Sequence, residues 1–578
     1  MAPSPATGAK HVQETSVVGE ADEAQLRSPS HVDDSDFVTT REDQDLRRGL
    51  HQRHIGLIAI AGAIGTGLFL GLGGSIQTAG PLGALLGYAT VGLIVCAVQF
   101  ALGEVTALFP VTGSFVRHAE VLIDPALGFA IGYNLVYGNC LSIPTEITAI
   151  CVLFQYWTTS VNSSVWIVVF ICLTVIVGMS FIGIYGEVEF WFALLKILFI
   201  VFLILLGLVI DLGGVPGTPR IGFRYWSHPG PFVEYIGSGS WGRFLAYWAV
   251  MSNAVFSFAG VESIAMAAAE TRNPRVAIPK ACKRVFVRVA TFYVLAVLVV
   301  GMLVSSDDPR LDDQSGTAAQ SPFVIAASAA GLKGVPSVVN AVVITSAWSS
   351  SNQALLSGTR VLYGLALKRQ APRVFLRTTP WGVPYVCVLL FTAFMFLAFM
   401  SLSENALTVF WWLVDLTACG VLVSWITVLA NHSRLMLAMR SQGIPLSRLP
   451  WHTKFTEFST PLALVMCIII LFTAGFPVFT KGNWSTSRFI SSYLYVYPTV
   501  EEPWVRQSAG YNTNLFPCLH RDIPLVITAF VLWKIIKRTR IVKLADIPLT
   551  EALERAAVDI EVEPELPFWR KLVGALWD

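Results

Sequence analysis

Charge is what this sequence has least of. Asp, Glu, Lys and Arg make up 13% of its 578 residues, roughly half the share found in a soluble globular protein. Water is therefore not its main solvent. Metal-spaced thiols are also missing. None of the nine cysteines forms a CxxC pair, which argues against a zinc site and a disulfide framework. Cys96, Cys140, Cys151, Cys172, Cys387, Cys419 and Cys467 fall inside apolar runs instead and read as small buried hydrophobes. An apolar leader is lacking too. Residues 1–45 are polar, rich in Ser, Asp and Glu and poor in aromatics, so they read as a disordered tail rather than a signal peptide. No HExxH, GxSxG or metal-spaced cluster suggests an enzyme, and no repeated filter loop suggests a channel. Neither a cofactor nor a metal is expected, and nothing calls for nucleic acid. Oligomeric state is not legible.

What remains is apolar sequence, 54% of the chain, in runs of the roughly twenty residues that span a bilayer. Twelve spans are expected near 55–76, 82–108, 126–156, 164–184, 189–212, 244–268, 285–305, 335–365, 383–402, 407–430, 460–479 and 522–538. The third and eighth are long enough to tilt or project. Basic residues cluster before the first span (Arg47, Arg48, Arg53) and after the sixth (Arg272, Arg275, Lys280, Lys283, Arg284). They cluster again after the eighth (Lys368, Arg369, Arg373, Arg377), the tenth and the twelfth. This bias places both termini in the cytoplasm. The sequons at Asn162 and Asn483 then fall in outer loops as glycosylation candidates, while Asn431 falls inside and should be unused.

Two spans carry helix breakers. The first, IAIAGAIGTGLFLG (Ile58 to Gly71), holds Gly62, Gly65, Gly67 and Gly71. The sixth, FSFAGVESIAMAAAE (Phe256 to Glu270), has Ser257, Gly260, Glu262 and Ser263 near its middle. Small residues allow close helix packing. Breaks at corresponding places in two halves also mark a transporter site, and spans one and six correspond if the first ten form two repeats of five. A half-helix N-terminus attracts a carboxylate, and freed carbonyls accept from an ammonium group. The pair suits an amino acid.

Ionisable residues within spans are costly and point to function. They are Glu104, Glu146, Lys196, Glu262 and Asp415, with Lys196 as the only deep base. Lys196 either stands in place of a coupling cation or changes protonation during transport, against the alternatives of a structural ion pair or snorkelling. Glu262 either relays protons or caps the broken segment. Glu146 suits a pair with a neighbouring span, Glu104 suits a gate or an anchor, and Asp415 is undecided.

The stretches RRGLHQRHIGLIAIAGAIGTGLFLG, GEVTALFPVTGSF, YGEVEFWFALLK, FSFAGVES with AAAETRNPR, and DPR with SPFVIA occur in that order between Leu46 and Ile490. Together they resemble the fungal amino acid permeases, the yeast amino acid transporter group of the amino acid–polyamine–organocation superfamily. IGFRYWSHPGPFVEY, TSAWSSSNQALLSGTR and FISSYL resemble its dicarboxylic branch. The resemblance implies an all-α integral membrane protein of about twelve transmembrane helices in a LeuT-like fold. That fold is a 5+5 inverted repeat with helices 1 and 6 unwound, plus two extra helices, and here it would occupy 46–540. It implies proton symport of amino acids, here acidic ones, across the plasma membrane by alternating access. It implies that Ala63, Gly65, Thr66 and Gly67 receive the substrate carboxylate. Phe256, Ser257, Ala259 and Gly260 would receive its amino group, and Lys196 matches the lysine that stands where sodium binds in sodium-coupled relatives. The partners are thus an amino acid, protons and the bilayer. Residues 495–521 depart from the pattern and read as an extracellular insertion or a gene-model artefact, and 541–578 as a cytoplasmic tail. A nutrient sensor would tend to carry a longer N-terminal extension than this one, and a permease for neutral amino acids is the other alternative.

Overall fold

A computed structural model describes residues 66–111, 113–158, 160–266, 271, 273–312, 321–402, 406–473, 476–479 and 522–558, with side chains for most of these. All belong to one compact unit, Thr40–Asp578. The expected tail 1–45, Ala63, Gly65, the segment 495–521 and Asn483 lie outside the described residues, as does the side chain of Asp415.

The described part of each expected span is mainly helical, with breaks at 180–181 in the fourth and after Ser257 in the sixth. Helix α1 (Thr66–Leu108) is two helical segments meeting at Gly80, whose φ of 75° reverses the chain before Pro81. A side chain is excluded there, because a Cβ would stand 2.8 Å from the Pro231 carbonyl oxygen. That carbonyl accepts from Leu82 N at 3.0 Å, so a loop seals the turn between spans one and two.

A short helix, α2 (Phe115–Leu122), leads to α3 (Pro125–Phe154). There Asp124 caps by accepting from Ala126 N at 2.8 Å with proline at the first position. Helix α4 (Ser163–Met179) is capped by Asn162, whose side chain accepts from Ser164 N at 2.9 Å. Asn162 is exposed, while Asn431 is buried and donates to the Phe115 carbonyl at 2.8 Å.

Helix α5 (Ile182–Asp211) begins seven residues before the expected 189. Residues 185–188, with Gly186 and Glu187, read as loop but are helical, and Glu189 just after them is fully buried with a partner on another helix. Helix α6 (Gly239–Ser257) stops short of the expected 268 and is followed by a 3-10 turn, Val261–Ala265.

Helices α7 (Pro274–Leu303), α8 (Pro322–Ala329), α9 (Val335–Leu367) and α10 (Tyr385–Met395, running on as a 3-10 turn to Leu402) follow. Then come α11 (Ala406–Ser441), α12 (Lys454–Thr473), α13 (Asp522–Lys537) and α14 (Leu549–Val558). Asp415 lies on α11, which runs eleven residues past the expected end at 430. Six helices among the described residues are long and apolar enough by themselves to cross a membrane.

Helix α1 packs on α6 and α7, and α3 on α9, α11 and α13. Of the cysteines in apolar runs, Cys96, Cys140, Cys151, Cys387 and Cys467 are buried free thiols, whereas Cys172 is exposed. The tail after α13 is folded back rather than trailing. Val542 N donates to the Ile123 carbonyl at 2.9 Å, and Gln442 Nε2 to the carbonyls of Leu544 and Ile547 at 2.8 and 3.0 Å. Ile547, Leu549 and Leu553 are buried.

Candidate functional site

The sixth span is interrupted where Gly260 takes a φ of 89°, a region open to glycine at no steric cost. Between Ser257 and Val261 the regular helical ladder stops, and side chains from other spans take up the freed carbonyls. Tyr293 OH on α7 donates to the Ser257 carbonyl at 2.6 Å. Gln99 Nε2 on α1 donates to the Val261 carbonyl at 2.7 Å, and Gln353 Nε2 on α9 reaches the Gly260 carbonyl at 3.4 Å. Locally, Ala259 N donates to the Phe256 carbonyl at 3.0 Å. Ser257 Oγ lies 3.1 Å from Tyr88 OH, and the Phe258 ring stacks on Tyr293 at 4.3 Å.

Helix α1 runs beside this break. A Cβ placed on Gly71 would lie 4.0 Å from Ser257 Oγ, an ordinary contact distance, so this face of the helix borders the break. Thr66 and Gly67 form the described start of that helix. The structure thus brings the first span to the break in the sixth, while the expected break at Gly62–Gly67 lies mostly outside the described residues.

Glu262, just past the break, is buried and accepts from Trp425 Nε1 on α11 at 3.1 Å. Lys196 on α5 is 1% exposed. The carboxylates acting on it are Glu189, two turns earlier on the same helix, and Glu146 on α3. Phe199, one turn on, meets Phe69 of α1 with ring centroids 5.8 Å apart, so the lysine's helix also borders the first span.

Glu104 is 0% exposed and lies among five donors or ring nitrogens. His432 Nε2 is at 2.7 Å, His452 Nδ1 at 3.3 Å, Thr453 N at 2.8 Å, Thr453 Oγ at 3.1 Å and Thr456 Oγ at 2.8 Å. It therefore ties α1 to α11 and α12, the geometry of an anchor.

Lys196 is not the only base buried in a span. Arg360 on α9 is 3% exposed and donates to Thr359 Oγ at 3.2 Å. Gln99, Tyr88, Tyr293, Gln353, Trp425 and Glu189 were also missed. The readable signal for Gln99 was a lone amide inside VCAVQFALGE, which an inventory restricted to charges passes over.

Residues 54–500 match the amino acid permease family. The chain belongs to that family. The permease is 37% identical over 507 residues to the dicarboxylic amino acid permease of Saccharomyces cerevisiae, covering 86% of this chain and 83% of the relative. It is 39% identical over 454 residues to the proline-specific permease of Emericella nidulans, covering 78% and 82%. Among solved structures it shares its fold with a manganese transporter of Eremococcus coleocola. The TM-score is 0.51 at 13% identity, over 87% of the permease and 94% of that chain. The permease is a multi-pass, all-helical membrane protein of LeuT-like fold, a transporter and not an enzyme.

Proposed function

We propose that the permease imports amino acids across the plasma membrane by proton symport, with both termini cytoplasmic and acidic amino acids preferred. The observation that carries the reading is the broken sixth span lying against the first, with a buried lysine on the neighbouring α5. Backbone amides at Ala63, Gly65, Thr66 and Gly67 receive the substrate carboxylate. Backbone groups between Phe256 and Gly260 receive its ammonium, with the Phe256 ring as the gate. Lys196 carries the coupling charge, and Glu262 holds the start of the inner half-helix through Trp425.

The preference for acidic substrates draws on the dicarboxylic relative. The similarly related proline-specific permease favours a neutral substrate as the second reading. Uptake of radiolabelled aspartate, glutamate and proline by a permease-deficient cell, at two external pH values, separates them. Aspartate uptake that rises at acid pH and resists excess proline is the expected result. Lys196→Ala is expected to abolish the pH dependence, and Gly67→Leu to abolish uptake at unchanged surface expression. Normal uptake in Gly67→Leu would remove the site assignment.

A further inference from the structure

Glu189 has no part in the reading above. It lies seven residues before Lys196 on α5, two helical turns, so the two share one face of the helix. It is fully buried, and Ser349 Oγ on α9 donates to its Oε2 at 2.5 Å. No donor reaches its Oε1 in full hydrogen-bond geometry among the described residues, although the Asn352 amide on α9 stands close enough to act on the carboxylate. A buried carboxylate oxygen without a donor is costly when ionised, and it is the natural place for a proton to sit.

The groups around it are few. On α5 they are Lys196 and Tyr185. Glu146 on α3 acts on Lys196, and Arg360 on α9 acts on Tyr185. Helices α4 and α8 carry no charged side chain. Helix α7 meets α5 at its far end, where Gly207 faces Val299 and Leu303. Two carboxylates thus stand against two cations, so an extra proton adds no further cation when it settles on a carboxylate, and Glu189 is the one on the lysine's own helix.

Position supplies the direction. In the proposed orientation the N-terminal end of α5 faces the cytoplasm, so Glu189 lies on the cytoplasmic side of Lys196.

We infer that Glu189 is the group through which the coupling proton leaves toward the cytoplasm. Once the Lys196 side chain swings toward Glu189, or a water bridges the two, an Nζ–H bond of the ammonium breaks as an O–H bond forms on Glu189 Oε1, giving a neutral amine and a neutral acid. The acid then releases its proton to cytoplasmic water and regains the carboxylate that attracts the next proton to Lys196. Ser349 keeps Oε2 occupied throughout, which directs the proton to Oε1. This rests on the proton-coupled reading proposed above.

The test uses the full-length permease in proteoliposomes. Pre-loaded and external aspartate measures exchange, which needs no net proton release, and pH-gradient-driven accumulation measures net flux. With Glu189→Gln, accumulation is expected to fall by about tenfold or more while exchange stays within about twofold, as loss of a proton-transfer group requires. Glu189→Asp is expected to restore part of the accumulation. Ser349→Ala, which leaves the carboxyl in place, is expected to shift the pH at which accumulation is half-maximal and covers the case in which Glu189→Gln fails to fold. Wild-type accumulation in Glu189→Gln, or equal loss of exchange and accumulation in a folded variant with no pH shift in Ser349→Ala, overturns the inference alone. A wild-type protein that accumulates aspartate without any pH gradient overturns the proton-coupled reading, and this inference with it.

Discussion

Glu104 shows what a single buried charge needs inside an apolar bundle. An isolated carboxylate there would be prohibitively costly, and His432, His452, Thr453 and Thr456 offset that cost together. Removing the acceptor strands all of them. Glu104→Ala is expected to lose about 3 kcal/mol or more of stability, the scale of breaking a buried polar network. Glu104→Gln, which keeps one acceptor oxygen, should lose less. The readout is thermal unfolding of the detergent-solubilised protein, and equal melting of Glu104→Ala and wild type would remove the anchoring role. The same logic separates what the sequence made legible from what it hid. Lys196, Glu104 and Glu262 stood out because a charge in an apolar run is rare. Gln99, Tyr293 and Gln353 did not, because an uncharged polar side chain is informative only once its partner is known. Those partners lie 162, 36 and 93 residues away.

Between helices, glycine decides how closely spans approach. A Cβ at Gly358 on α9 would fall 2.3 Å from Phe391 Cζ on α10 and 3.0 Å from Asn139 Cβ on α3. Gly358→Ala is therefore expected to cost about 1–3 kcal/mol through overpacking and to lower the melting temperature. Gly358→Ala combined with Phe391→Leu should recover part of the loss. Positions of spans were legible because a run of about twenty apolar residues has few alternatives in lipid. Their ends were less so. The start of α5 carries Gly183, Gly186 and two glutamates, a loop composition by every local rule. Ser349 and Asn352 from α9 and the facing lysine make Glu189 tolerable inside a helix. The stop at Ser257 was legible, because Gly260 and Glu262 interrupt the apolar pattern of that span.

Across the whole molecule, the first helices and the last are held together at one face. Asp124 caps α3 while pairing with Lys534 of α13, with Thr539 Oγ at 2.9 Å. Burial works against the charge on Asp124, yet Lys534, the Ala126 amide and Thr539 together hold its carboxyl below its usual range. A carboxyl depressed in the folded state stabilises above its unfolded pKa, and that contribution is lost as pH falls through the folded value. Solubilised wild-type protein should thus lose stability on acidification below the ordinary carboxylate range, and Asp124→Asn should flatten that limb. Asp124→Asn should also melt lower than Lys534→Ala at neutral pH, because the latter keeps the charged N-cap, and a cap contributes about 1 kcal/mol. A pH profile in Asp124→Asn identical to wild type would contradict this.

The same clasp bears on how the protein is made. Asp124 and Lys534 are 410 residues apart. Arg434, which donates to the Leu122 carbonyl at 3.0 Å, also grips the carbonyl of Val542. During synthesis the early spans enter the bilayer while these partners are still untranslated, since chains fold progressively from the N-terminal end. A nascent or prematurely terminated permease therefore leaves a buried-type carboxylate and backbone carbonyls uncovered. The finished chain hides them. That difference is the kind of mark by which a cell's quality control tells a completed membrane protein from an unfinished one.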